Sequence, residues 1–170
     1  MAAVTIREAV PADAATIVRL IRGLAAYENM ADLVRITDAD VRRDGFGDRR
    51  CFEALLAEVD GEAVGLALHR PSYSTFDGCP GLYVEDLFVA EEARGLGIGR
   101  MLMARLAAIA RGRGCSRMSL AVLHWNPARD FYRRLGFVQV EDWLSYQLAG
   151  DDLIRLAADD GETRPEGRHG

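Results

Sequence analysis

The 170-residue chain contains no lysine; all 21 of its cationic side chains are arginine. Schiff-base enzymes, pyridoxal-phosphate enzymes and lysine-bearing phosphate loops are therefore excluded. Cysteine is scarce as well. Cys51, Cys79 and Cys115 are widely spaced and form no Cys-x-x-Cys pair, which suits neither a disulfide framework nor a zinc site and fits a reducing cytoplasm. The three histidines, His69, His124 and His169, lie far apart, so no metal is expected. No stretch approaches the ~18 apolar residues of a membrane span, and the N-terminal MAAVTIREAVPADAA lacks the apolar run of a signal peptide. A basic surplus is missing too: the formal charge is −5, which argues against nucleic acid as a partner.

What is present is 49% apolar residues and 28% charged ones, enough to build a core without staples. A single domain is expected over residues 1–158. The polar, Gly- and Pro-bearing end from Asp159 to Gly170 reads as a disordered tail.

Val4, Ile6 and Ala9 alternate as a strand. Ile17, Leu20, Ile21, Leu24 and Tyr27 recur at helical spacing. Thr37 is an N-cap for a short helix through Val41, stopped by Gly45 and Gly47. Residues 52–59 and 63–69 read as strands around an Asp60-Gly61 turn, and Leu82–Val89 as another. A long amphipathic helix after Gly99 closes at Gly112 and Gly114. A strand is expected from Met118 to Leu123, a short helix over 128–135, and a last strand from Leu144 to Leu148. The order β-α-α-β-β-β-α-β-α-β predicts an α/β domain whose mixed central sheet is flanked by helices.

The informative segment is Arg94-Gly95-Leu96-Gly97-Ile98-Gly99-Arg100, between a strand and the long helix. Glycine permits positive φ and close approach of a ligand. A helix start offers unpartnered N–H groups at the positive end of its dipole. Together they make a pyrophosphate cradle that needs no lysine, with Arg94 and Arg100 as supporting cations. Walker and Rossmann fingerprints both fail here: the first lacks its lysine, and the residue three after Gly97 is Arg100.

Arg94-x-x-Gly97-x-Gly99 resembles the acyl-CoA motif of the GCN5-related N-acetyltransferase (GNAT) superfamily, and Asn126-Pro127-Ala128-Arg129-Asp130-Phe131-Tyr132 resembles its downstream block. Arg22-Gly-Leu-Ala-Ala-Tyr27-Glu28, Tyr73-Ser-Thr-Phe76 and Leu82-Tyr-Val-Glu85-Asp86-Leu-Phe-Val89 are similar to the diamine branch, which acetylates spermidine, spermine or thialysine. The resemblance spans about residues 3–158. Phe76 and His124 depart from the branch, and the stretch from Asn126 to Tyr132 is one residue shorter than usual.

The resemblance implies a GNAT fold with splayed strands at the acetyl-CoA site. It also implies acetyl-CoA as co-substrate, bound by Leu87, Phe88, Val89, Arg94, Gly95, Leu96, Gly97, Ile98, Gly99, Arg100, Asn126 and Tyr132. Tyr132 would serve the leaving thiolate, and the protein would be a homodimer. The acceptor would be a small-molecule amine held by Tyr27, Glu28, Glu85, Asp86, Glu141 and Asp142.

Charge chemistry supports that acceptor class, because a second cationic amine taken out of water requires carboxylates. Glu85 and Asp86 interrupt an otherwise apolar strand, which is costly unless they face a wet cleft. Glu85 is the first candidate for the base and Asp86 the second. No cysteine sits in a nucleophile motif, so direct transfer is expected. Two alternatives stay open: acetylation of another amine (an aminoglycoside, an amino acid or a protein N-terminus), and a non-catalytic acyl-CoA sensor.

Overall fold

A computed structural model describes residues 3–159. They divide into two compact units, one ending at Arg129 and one beginning at Asp130. The expected tail falls outside the described residues except for Asp159, which caps the last helix.

The first unit is built on a five-stranded mixed sheet in the order β1-β2-β3-β4-β5. The strands are β1 (Val4–Glu8), β2 (Glu53–Val59), β3 (Glu62–Ser74), β4 (Cys79–Val89) and β5 (Met118–Leu120). The first four are antiparallel neighbours, and β5 runs parallel to β4. Asp60 and Gly61 both adopt positive φ, 51° and 87°, as a two-residue hairpin matched to the sheet twist requires.

Helix α1 (Ala14–Tyr27) covers one face. Its Ala14, Ile17, Val18 and Leu20 pack with Ala54, Leu56 and Leu66 of the sheet, and with Val41 of α2 (Asp38–Phe46). Each large side chain buried this way contributes roughly 1.5–3 kcal/mol. The α2 start matches the expected Thr37 cap: the Asp40 N–H donates to the Thr37 hydroxyl and the Asp40 carboxylate accepts the Thr37 N–H. The helix runs past Val41 to Phe46 and is capped at Gly47. Gly23 lets α1 lie directly on β4, since a Cβ there would come within 2.8 Å of the Phe88 ring. That approach carries the end of α1, with Tyr27 and Glu28, toward the C-terminal half of β4.

Helix α3 (Ile98–Gly112) covers the opposite face through Ile98, Leu102, Met103, Leu106 and Ala110. It sits closest at Gly65, where a Cβ would meet Ile98 and Leu102. On this face His69 is almost fully buried, and its Nδ1 has no hydrogen-bond partner. Burial pushes the imidazole below its ordinary pKa. Its cross-strand partner Glu53 is held instead by both Nη atoms of Arg113, each at 2.6 Å.

Two expected boundaries shift for identifiable reasons. Strand β3 does not stop before Pro71 but continues to Ser74. Pairing with β2 ends at His69, so beyond it β3 is an edge strand, where a proline's missing N–H costs no ladder bond. Strand β5 ends at Leu120, not Leu123, because its pairing with β4 stops at Val84.

In the second unit, α4 (Ala128–Arg134) completes its last turns and α5 spans Gly150–Ala158. The strand expected over Leu144–Leu148 is not formed, and the backbone there is irregular. Its alternating Leu144, Tyr146 and Leu148 remain exposed. Alternation becomes a strand only where a neighbouring edge supplies hydrogen bonds, and among the described residues none pairs with this stretch. Helix α5 was not expected, although Asp151 and Asp152 in its first turn and Arg155 in its last complement a helix dipole.

Candidate active site

The site begins with a β-bulge in β4. Leu68 pairs with Asp86 and the next β3 residue, His69, pairs with Val84, which leaves Glu85 as the extra residue. Adjacent strand residues face opposite ways. Val84 therefore points with His69 toward α3, whereas Asp86 points with Leu68 and Phe88 toward α1. In a regular strand Val84 and Asp86, two residues apart, would share a face.

On the α1 face, Asp86 is half-buried and its carboxyl is pushed up to about 6, first by burial and then by the charges of Glu85 and Glu28. Glu85 itself is exposed and paired with Arg70, whose Nε donates to the Glu85 carboxylate at 2.9 Å. The Arg70 guanidinium also lies over the Tyr83 ring, 4.4 Å from its centroid. The structure thus brings Glu28, Glu85 and Asp86 together. Sequence reasoning missed Arg70 and Tyr83. They pair across β3 and β4, and the only sequence signal was a charge on a strand extended past its expected end.

The second feature is an open edge. Beyond Val84, β4 continues to Val89 without β5 beside it, which is the splay that the resemblance implied. The Ala90 N–H bonds to Val64 of β3. Strand alternation therefore turns the Phe88 N–H toward β3, and the N–H groups of Leu87 and Val89 toward the open side.

The third is the glycine loop. Gly97 caps α3 in the left-handed region at φ +76°, and a Cβ there would meet nothing within 4 Å. The first-turn N–H groups of Gly97, Ile98, Gly99 and Arg100 have no intrahelical carbonyl to bind. Gly95 also has positive φ, and Leu96 and Arg100 are exposed. Arg94 donates through Nε to the Val89 carbonyl at 3.2 Å, and its guanidinium lies 4.8 Å from the centre of the Tyr27 ring. Tyr27 is thus stacked on a loop arginine, linking the end of α1 to the glycine loop.

Asn126 is buried, and its Oδ1 accepts the Ala128 N–H at 2.9 Å, so it caps α4 ahead of Pro127. In the second unit the Tyr132 ring lies edge-on to Phe131 and Phe137, at 5.2 and 5.8 Å between centroids. Glu141 and Asp142 are exposed in the irregular stretch of that unit. Among the described residues, no cluster of three or more His, Cys, Asp or Glu can hold a metal, and no helix is long and apolar enough to cross a membrane.

Free amides at a glycine-capped helix start beside an unpaired strand edge suit a coenzyme that carries phosphates. The comparisons agree. Residues 24–137 match the acetyltransferase (GNAT) family. The chain is 41% identical over 169 residues to a thialysine N-epsilon-acetyltransferase from Bos taurus, covering 92% of this chain and 99% of the relative. It is 38% identical over 165 residues to a spermidine/spermine N(1)-acetyltransferase-like protein from Homo sapiens, covering 89% of this chain but 23% of that larger one. An integron cassette protein from the mobile metagenome of V. cholerae superposes with a TM-score of 0.77 at 26% identity, covering 91% and 97% of the two chains. The chain belongs to the acetyltransferase (GNAT) family, an α/β family that uses acetyl-CoA as co-substrate.

Proposed function

We propose that the chain transfers acetyl from acetyl-CoA directly to a primary amine of a diamine or lysine-like small molecule. The observation that carries this reading is Asp86, a half-buried carboxyl with a raised pKa facing Glu28 beside the open edge of β4. The thialysine and polyamine relatives support the acceptor class.

The residues present fit the coenzyme. The amides of Gly97 to Arg100 and the side chains of Arg94 and Arg100 would hold its pyrophosphate. The N–H groups of Leu87 and Val89 face the gap where its acyl end would lie, ready to donate to the carbonyl oxygen as charge builds there. Asn126, with Oδ1 engaged in capping, would offer Nδ2 to the pantetheine arm.

An amine has an ordinary pKa near ~10.4 and must lose a proton to attack. Asp86 accepts that proton better than Glu85, because burial has raised its basicity while Glu85 is held by Arg70. As the amine nitrogen bonds to the acetyl carbon, the carbon–sulfur bond breaks, and the resemblance gives Tyr132 the part of stabilising the departing thiolate. Glu28 and Glu85 attract the acceptor's second charge, and Glu141 and Asp142 keep only the acceptor role that their own charge suggests. None of Cys51, Cys79 and Cys115 belongs to the glycine loop or to the open half of β4, in keeping with direct transfer.

Thiol release on mixing acetyl-CoA with thialysine, lysine, spermidine and putrescine tests the reading, and turnover of at least one is expected. Coenzyme binding without turnover of any amine would make the chain a sensor. Turnover confined to an aminoglycoside or a protein N-terminus would move the acceptor elsewhere.

The proposal also has the chain working as a homodimer in a reducing cytoplasm. The exposed Trp143, Leu144 and Tyr146, together with Leu153 and Ile154 of α5, support the first. Three cysteines without a disulfide support the second. Light scattering is expected to give twice the 18.7 kDa chain mass, and a monomeric mass would remove the dimer.

A further inference from the structure

The α1 face of the sheet carries a cation as well as carboxylates. Arg70 follows His69 on β3 and so faces α1, opposite Tyr83 and beyond the end of β2. Two contacts fix its guanidinium: the Tyr83 ring beneath it and the Glu85 carboxylate on Nε. Among the described residues, Nη1 and Nη2 make no hydrogen bond. An ordered guanidinium with its two-pronged edge free is the shape that binds a carboxylate with two parallel hydrogen bonds. Arg70 also offsets the charge of Glu85, which weakens the hold on a chain of ammonium groups. A surface meant only for polycations has no use for an ordered arginine beside its carboxylates.

We propose that Arg70 reads a carboxylate on the acceptor, so that the site takes amino acids bearing a side-chain amine in preference to the corresponding decarboxylated diamines. This rests on the acetyltransferase reading above and narrows its substrate class. An α-amino acid of this kind carries an anion and a cation at one end and the reacting amine at the other. The α-carboxylate goes to Arg70, the α-ammonium to Glu85, and the side-chain amine to Asp86.

Matched acceptors that differ only in the carboxylate test this: lysine against cadaverine, and thialysine against its decarboxylated diamine. The native protein is expected to favour the amino acid by about tenfold or more in kcat/KM, the range of a charge-assisted hydrogen-bond pair. Arg70→Gln is expected to bring the ratio to within about twofold by raising KM for the amino acid and lowering it for the diamine, as Glu85 is released. Independently of any variant, the α-carboxamide of thialysine should behave toward the native protein as its diamine does. A native preference for the diamine, a ratio that Arg70→Gln leaves in place, or a carboxamide acetylated as well as the free acid overturns the inference while the acetyltransferase stands. Failure of every amine overturns the acetyltransferase reading, and this inference with it.

Discussion

Asp86→Asn is expected to lower kcat/KM by about 10²- to 10⁴-fold at neutral pH, the usual contribution of a positioned general base. The native protein should show an acid limb in its pH–rate profile with a midpoint near 6, where Asp86 becomes a carboxylate, and the variant should lack it. Glu85→Gln should cost less, because Arg70 already occupies that carboxylate. If Glu85→Gln costs more, the base is Glu85.

The same substitution is expected to stabilise the fold. A carboxyl whose folded-state pKa is raised binds its proton more tightly when folded, so its contribution to stability is lost as pH rises from about 4 through about 6. At pH 7 native Asp86 therefore opposes folding by about 3 kcal/mol, and an amide of the same shape does not. Differential scanning calorimetry at pH 7 should find Asp86→Asn melting several degrees higher, with the difference gone near pH 4. A variant both inactive and less stable would make Asp86 a structural residue.

The second large effect is expected at Tyr132. Tyr132→Phe should lower kcat by about 10²-fold while leaving KM for acetyl-CoA within about twofold. A phenol is ordinarily less acidic than a thiol, so it cannot fully protonate a thiolate without going uphill. The part proposed for Tyr132 is a hydrogen bond that strengthens as charge reaches sulfur. Phenylalanine keeps the edge contacts to Phe131 and Phe137. An unchanged kcat would take Tyr132 out of the reaction.

Local chemistry was legible in the sequence where it acts alone. Asp60-Gly61 announces its turn and Thr37 its cap, because each depends on neighbours a few residues away, whereas the long helix starts at Ile98, before the Gly99 after which the sequence places it. Features that depend on a second strand were not legible. The strand over 63–69 reads as complete until β3 is known to run on along β4 past His69, where its pairing with β2 ends. Leu144, Tyr146 and Leu148 read as a strand because alternation cannot show whether an edge waits to receive it. Glu85 and Asp86 read as an acidic pair with Glu85 the first candidate for the base. Only cross-strand register separates them, sending one to Arg70 and the other to the half-buried α1 face.

The extra residue in β4 is a change of parity. A strand distinguishes its two sides only as odd and even, and from Glu85 onward the count in this strand is reversed. Upstream the numbering assigns Val84 to the α3 side, and downstream it assigns Asp86 to the side of α1. Point substitutions can tune the residues at this junction, but they cannot exchange the sides. Removing Glu85 would leave Val84 and Asp86 consecutive, still on opposite sides but without the local bend, whereas a regular ladder that kept all three residues would put both on one side. In this segment it is the irregularity of the strand that decides which side the carboxyl serves.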